Sequence, residues 1–348
     1  MQVLYVGDMG EVSLSLYRSW ALSRLGHTVS TFDTRSYLDS GGRLIRALRY
    51  RTLLGSAVAR ANRLMLEQAR DERPDVVVID KGLLFSARTL QTLNTLGCLT
   101  VNCTMDNPFG PRGDPGWRLF RQAVPHYRLH LVQRDSNFGD YRAAGAQDVQ
   151  MLRTAYEPTI HFPPPEGWSD ADRLHDVVFI GTPYDQRGKF MLDLWRDNGI
   201  APRIWGAPKW WSAVLPPDAR QALLQGGELW IGDYRETIWR SRFCIAFVTH
   251  SNVDEVAQKS FEIAGCGGLL LAEDTPGHRA HFAADEEAVF FSSPADCAEK
   301  VRRLLNDEAA RTRIAAAGRR RAVESGYSND ARLERVFDYI GRTYFPGR

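Results

Sequence analysis

Short runs of consecutive apolar residues alternate along this chain with stretches whose apolar residues recur every three or four positions. Val3-Leu4-Tyr5-Val6 reads as a buried strand and Gly7-Asp8-Met9-Gly10 as a turn. Leu14, Tyr17, Ala21, Leu22 and Leu25 then fall on one face of a helix over 13–25, which Gly26 ends before a strand at Thr28–Phe32. Residues 43–70 have helical spacing, and Pro74 introduces a buried strand at 75–80. A helix over 86–96 stops at Gly97, and the strand Leu99–Thr104 runs into Met105-Asp106-Asn107-Pro108. His130–Gln133 and Val149–Leu152 are strands on either side of a helix over 136–144. Continuous apolar strands alternating with helices predict a parallel sheet covered on both faces.

Residues 158–170, PTIHFPPPEGWSD, have no periodicity and read as a linker. A second α/β series follows, with strands at Asp176–Ile180, Ile204–Trp205, Phe243–Val248, Gly268–Ala272 and Val289–Phe291. Helices are expected at 189–198, 253–264, 294–306, 308–324 and 329–342. The fold class is therefore α/β, with two doubly wound Rossmann-like domains facing across a cleft. Residues 1–160 form the first and 171–328 the second; 329–348 form a C-terminal helix that can cross back to the first. In such sheets ligands bind at the carboxyl ends of the strands, so residues just after strands carry the most weight.

A length of 348 residues suits two domains of about 150–170 each. The net charge of +2 implies no global polyanion partner, and no aromatic-basic platform appears, which argues against a nucleic-acid partner. The cysteines number five and none has CxxC spacing, so neither a disulfide framework nor a zinc site is expected, and a reducing cytoplasm fits. No signal peptide and no membrane-spanning run is visible. Residues 40–66 carry Arg43, Arg46, Arg49, Arg51, Arg60 and Arg63, interleaved with leucines and no acid. The 43–66 stretch suits peripheral contact with an anionic membrane surface; the plainer reading is a helix with one core face and one solvated face.

The segment 251–274, SNVDEVAQKSFEIAGCGGLLLAED, reads as a capped helix, a Gly-rich turn and a buried strand. Glu262 lies on an otherwise apolar face beside Ala264, Gly265, Gly267 and Gly268, where small residues admit a close neighbour; this suits a grip on sugar hydroxyls. Asp254 follows Asn252, and its plain reading is a first-turn carboxylate favouring the helix dipole. Asp8, Gly10, Asp106 and Asn107 follow strands of the first half, where turn chemistry alone favours such residues. Asp106 is the better candidate for a general base. Gly7–Gly10 lacks GxGxxG and GxxxxGK[ST], so neither a dinucleotide site nor a P-loop is supported. Trp205, Trp210 and Trp211 around a Gly-Ala-Pro turn either stack on a base or pack the domain. His126 and His130 read as structural, whereas His250 follows a strand and is kept as a cleft residue.

The second half resembles the C-terminal domain of GT-B glycosyltransferases, and most nearly the CgeB-like, spore-maturation-type group. The resemblance rests on DVVFIGTPYDQRGKF, IWGAPKW, KSFEIAGCGGLLLAED and EEAVFFSSPADCAEKVRRLLNDEAARTRIAAAGRRRAVESGYS; VLYVGDM, PDVVVID and NCTMDNP match it less specifically. It implies a nucleotide-sugar donor on the second half and an acceptor on the first. Glu262 would hydrogen-bond the ribose. Asp254 would take the first place in the acidic, seven-residue gap, Glu pattern of retaining enzymes, where Glu is usual. Arg187 would neutralise diphosphate, with Lys189 and Lys259 as further candidates. Donor-site residues would also include Gly181, Trp205, Gly206, Thr249, His250 and Gly267. The acceptor side would use Asp8, Gly10 and Asn107, and catalysis Asp106 and Asp254.

These observations predict a cytoplasmic hexosyltransferase that uses a nucleoside diphosphate sugar, UDP-sugar preferred, and retains anomeric configuration. No cofactor and no metal is expected: leaving-group charge would fall to Arg, Lys and a helix amino terminus. The acceptor would be a small molecule, glycan or peptide, through a hydroxyl or amine. A UDP-sugar 2-epimerase or a phosphorylase would keep the fold and change the reaction. A catalytically idle nucleotide-binding scaffold is the alternative from another class.

Overall fold

The computed structural model describes residues 1–39, 42, 51–53, 55–111 and 113–347. The chain divides into two compact units, Met1–Thr154 with Asn329–Arg348, and Ala155–Ser328.

The first unit runs β1 (Gln2–Gly7), α1 (Leu14–Arg24), β2 (Thr28–Asp33), α2 (Arg35–Asp39), α3 (Ser56–Glu72), β3 (Val76–Asp80), α4 (Ala87–Thr95), β4 (Leu99–Cys103), α5 (Arg118–Ala123), β5 (Leu129–Val132), α6 (Asp135–Ala143) and β6 (Val149–Met151). All pairings are parallel, in the order β2-β1-β3-β4-β5-β6. Alternate strand residues serve opposite cores. Leu4, Val6, Val77 and Ile79 pack on one face, and Val3, Tyr5, Val76 and Val78 on the other. Burial on both faces is why these strands read as unbroken apolar runs. The C-terminal helix, Asn329–Tyr344, adds Leu333, Val336, Phe337 and Ile340 to the second core.

The basic stretch 43–66 lies partly outside the described residues, which omit 43–50 and 54. Its described part is 51–53 and 55–66, which takes in the start of α3, where Val58, Ala61 and Met65 are buried while Arg60 and Arg63 are exposed. That is a core-facing stripe with a solvated opposite face.

The second unit runs β7 (His175–Ile180), α7 (Arg187–Arg196), β8 (Arg203–Trp205), α8 (Pro208–Val214), α9 (Pro217–Leu223), β9 (Leu224–Gly226), α10 (Ile231–Trp239), β10 (Ser241–Ala246), α11 (Gln258–Gly265), β11 (Leu270–Glu273), α12 (Pro276–His281), β12 (Val289–Phe291), α13 (Pro294–Leu305) and α14 (Glu308–Glu324). Its sheet is parallel in the order β12-β11-β10-β7-β8-β9. The strand order reverses between β7 and β10, which opens a crevice at their carboxyl ends.

One expected helix changes register. The sequence predicts 253–264, but α11 begins at Gln258. Val253 is left-handed (φ 57°), and Ala257, which offers no side-chain cap, precedes the first turn. Asp254 therefore stands in the loop before the helix, so its plain first-turn reading does not apply.

Candidate active site

The crevice between β7 and β10 holds a cavity of about 290 Å³. Gly181, Thr182 and Tyr184 after β7 and Trp205 and Gly206 at the end of β8 line it. So do Thr249 and Asp254 beyond β10, and Ala257, Gln258 and Lys259 at the start of α11. Leu229 and Trp230 ahead of α10 close another side. Its floor needs Gly206: a Cβ there would lie 2.2 Å from the Gly181 carbonyl oxygen and 2.5 Å from Trp211 Nε1. Trp211, fully buried, donates from Nε1 to that same carbonyl at 2.9 Å. Trp211 thus packs the domain, Trp210 is exposed, and Trp205 alone of the three lines the cavity.

The two cations in the cavity wall differ in availability. Arg187 opens α7 and is 8% exposed. It donates to the carbonyls of Thr182 (3.2 Å) and Val248 (3.0 Å) and to Thr249 Oγ1 (3.0 Å). Its two terminal nitrogens thus tie the loop after β7 to the loop after β10, while its buried Nε has no hydrogen-bond partner among the described residues. Lys259 is half-buried, and among the described residues its ammonium has no carboxylate or hydrogen-bond partner; it lies 4.7 Å from the Tyr234 ring centroid. Burial lowers its pKa, and nearby Arg187 lowers it further against the attraction of Glu262. It stands on the first turn of α11, where helix N–H groups lack acceptors from a preceding turn, although that of Ser260 bonds to Ala257 O at 3.0 Å. Lys189 faces elsewhere and pairs with Asp193 at 2.5 Å.

Glu262 lies one turn behind Lys259, 8% exposed, and does not itself line the cavity. Tyr234 Oη donates to its Oε2 at 2.7 Å and Gln258 Nε2 to its Oε1 at 2.7 Å. Burial works against the charge, but the His161 ring, the Lys259 ammonium and these two hydrogen bonds outweigh it and hold the carboxyl below its usual pKa. Asp254 accepts from Asn252 Nδ2 at 2.9 Å.

The glycines after Glu262 have a different purpose from the one the sequence suggests. A Cβ on Gly265 would meet the Tyr156 ring at 2.9 Å, and one on Gly268 would meet Ile238 at 2.6 Å. Gly267 (φ 72°) ends α11: its N–H bonds to Ala264 O at 3.0 Å and that of Gly268 to Ile263 O at 2.9 Å. The close neighbour is protein, and Gly267 does not line the cavity. His250 does not line it either; its Nε2 bonds to Glu273 Oε1 at 2.6 Å.

In the first unit the candidates occupy turns. Asp8 Oδ1 accepts from Gly10 N at 2.8 Å and lies 3.3 Å from Arg35 Nε. Asn107 Oδ1 accepts from Phe109 N and Asn137 Nδ2, each at 3.1 Å. Asp106 pairs with Lys81 at 2.9 Å, and Lys81 is itself left-handed (φ 60°). A buried group that sequence reasoning missed lies beside them. Asp80 Oδ2, at the end of β3, accepts from Arg18 (2.6 Å), Ser15 (3.0 Å) and Tyr5 (3.2 Å).

Two parallel six-stranded sheets with interleaved helices make the GT-B fold, and solved structures of that fold match along the full chain. A sucrose-phosphate synthase from Thermosynechococcus elongatus superposes with a TM-score of 0.68 at 9% identity, covering 99% of both chains. Anabaena HepE, solved with UDP and glucose, gives 0.66 at 10% identity over 98% of this chain and 100% of its own. A structure described as a UDP-N-acetylglucosamine 2-epimerase from Listeria monocytogenes gives 0.56 at 12%, over 100% and 97%. By sequence, residues 186–338 match the glycosyl transferase-like family. That match spans the cavity-lining loops from Arg187 onward and all of α11. No curated protein matched the chain by sequence. Among the described residues no helix is long and apolar enough to cross a membrane.

Proposed function

We propose that the chain is a glycosyltransferase of the CgeB-like kind that transfers a hexose from a UDP-sugar to a hydroxyl or amine of a small-molecule, glycan or peptide acceptor. The observation that carries this reading is the Lys259 ammonium, which has no carboxylate or hydrogen-bond partner among the described residues, at a helix amino terminus in a cavity at the strand-order reversal. A diphosphate leaving group needs such a cation and first-turn N–H groups. Glu262, held ionised one turn behind, is the acceptor for ribose hydroxyls. Trp205 and Trp230 offer apolar faces to the base. Asp254, which lines the cavity, contacts the transferred sugar, and the reaction retains anomeric configuration. Among the described residues no His, Cys, Asp and Glu side chains gather in a metal-holding group; we propose metal independence, with Lys259 and α11 meeting the phosphate charge. On the acceptor side the candidates are Asp8, Gly10 and Asn107, with Asp106 as the base.

The test is calorimetric titration with UDP and UDP-glucose, followed by UDP-release assays across acceptors with and without EDTA. Binding of UDP, acceptor-dependent release and indifference to EDTA are the expected results. Asp254→Asn is expected to weaken UDP-glucose more than UDP. No binding of any nucleoside diphosphate overturns the donor site. Turnover of a UDP-sugar to its epimer without acceptor overturns the transferase reading in favour of an epimerase.

A further inference from the structure

Lys259 and Glu262 are opposite charges one turn apart on α11, a spacing at which such side chains ordinarily pair. They do not pair here. Both are instead turned towards one side chain from another element, Tyr234 on α10. Its hydroxyl donates to Glu262 Oε2 at 2.7 Å, and its ring carries the Lys259 ammonium 4.7 Å from the centroid. A direct ion pair would draw the two groups together and screen each charge from a ligand. Tyr234 satisfies each only partly: a carboxylate oxygen accepts more than one hydrogen bond, and a cation over a ring keeps its N–H donors.

We propose that Tyr234 is the positioning residue of the donor site, keeping the carboxylate and the ammonium apart and each open to a different part of the nucleotide. The inference rests on the nucleotide-sugar reading above. The two carboxylate oxygens are distinguished by their partners. Gln258, which donates to Oε1, lines the cavity, whereas Tyr234 is 7% exposed and does not. Glu262 is itself 8% exposed and stands behind the cavity lining, so Oε1, on the Gln258 side, is the oxygen towards the cavity and Oε2 the one towards the interior. A ribose hydroxyl takes the place of the Gln258 amide on Oε1 while Tyr234 stays on Oε2. His161 holds the tyrosine ring from a further side, edge to face at 5.8 Å between centroids; its Nδ1 is engaged by the Glu157 N–H at 3.0 Å.

The experiment compares dissociation constants of UDP, 2′,3′-dideoxy-UDP and UMP on the full chain and its variants. In the parent protein the ratio of dideoxy-UDP to UDP reports the hydroxyl contact, and the ratio of UMP to UDP reports the ammonium. Each is expected to be roughly 10-fold or more, the scale of a hydrogen bond to a charged group. Tyr234→Phe keeps the ring and removes the hydroxyl, so the first ratio falls towards unity while the second holds. Tyr234→Leu lowers both. Gln258→Ala removes the competing amide and leaves the hydroxyl ratio unchanged or raised. A merely structural tyrosine weakens all three ligands equally and leaves the ratios intact, which overturns the assignment. Loss of the hydroxyl ratio in Gln258→Ala also overturns it, by moving the ribose contact to the glutamine. A parent protein that binds none of the three overturns the donor-site reading itself, a result distinct from either.

Discussion

Lys259→Met separates what a lysine does for binding from what it does for folding, and the two effects have opposite signs. Methionine keeps the length of the apolar stem and removes the charge. In the parent the ammonium lacks a hydrogen-bond or carboxylate partner among the described residues and is desolvated, so burial lowers its pKa. A lysine whose folded pKa lies below its unfolded value binds its proton more weakly when folded. Stability therefore rises with pH between the lowered folded value and the ordinary value near 10.5, because the unfolded chain holds more protons there. The charged group opposes folding below that window. Lys259→Met is expected to raise the melting temperature at neutral pH and to abolish the alkaline rise. Binding moves the other way. Losing a charge-assisted contact to phosphate costs about 1.5–3 kcal/mol, or roughly 10- to 150-fold in UDP affinity, while uridine affinity stays the same. In the parent, UDP affinity declines through the same alkaline window as the ammonium deprotonates. Differential scanning fluorimetry and calorimetry between pH 7 and 10 read both effects. A lower melting temperature with unchanged UDP affinity refutes the reasoning, since it makes Lys259 a structural residue.

Other substitutions probe the scaffold. Arg187→Met removes the tie between the loops after β7 and β10; it is expected to destabilise by about 2–4 kcal/mol in urea titration, and Arg187→Lys is expected to rescue little of this because one ammonium cannot span the same carbonyls. Gly267→Ala places a side chain at positive φ and is expected to cost about 1–2 kcal/mol with no change in UDP affinity, which calorimetry on the folded variant checks. His130 and His278 are buried with pKa values lowered to about 4, so the unfolded chain binds more protons than the folded one between about 4 and 6.5. Stability is expected to fall on acidification through that window, and His278→Gln should flatten part of the fall in pH-dependent melts.

The α/β winding was legible because strands buried on both faces leave unbroken apolar runs such as 76–79 and 243–246. The stretch between β8 and β10 was not. Helices α8 and α9 each begin with proline, at Pro208 and Pro217, and β9 is a three-residue edge strand, LQG, with no pattern to read. Residues 253–257 misled because Asn252, Asp254 and Glu255 imitate a helix start; the left-handed Val253 is invisible to side-chain spacing. Donor-side candidates Gly181, Arg187, Trp205, Gly206, Thr249, Asp254 and Lys259 do line one cavity, since each follows a strand or opens a helix. Tyr234 was missed because its partner Glu262 is remote in sequence. Arg187 was weighed for its charge, but its carbonyl partners follow from loop geometry alone.

The glycines of α11 bear on where this chain tolerates being lengthened. By composition, the whole of 158–170 invites insertion. Yet Tyr156 lies against Gly265, Glu157 and His161 are buried, and Pro163 Cβ would sit 3.5 Å from a Cβ on Gly267. Chain added between Ala155 and His161 displaces the surface on which the end of α11 rests, and with it the turn that carries Glu262. Pro165, Glu166 and Gly167 are exposed. An affinity tag or a protease site belongs there, a few residues beyond the point where the same insertion would shift the cavity between β7 and β10 from behind.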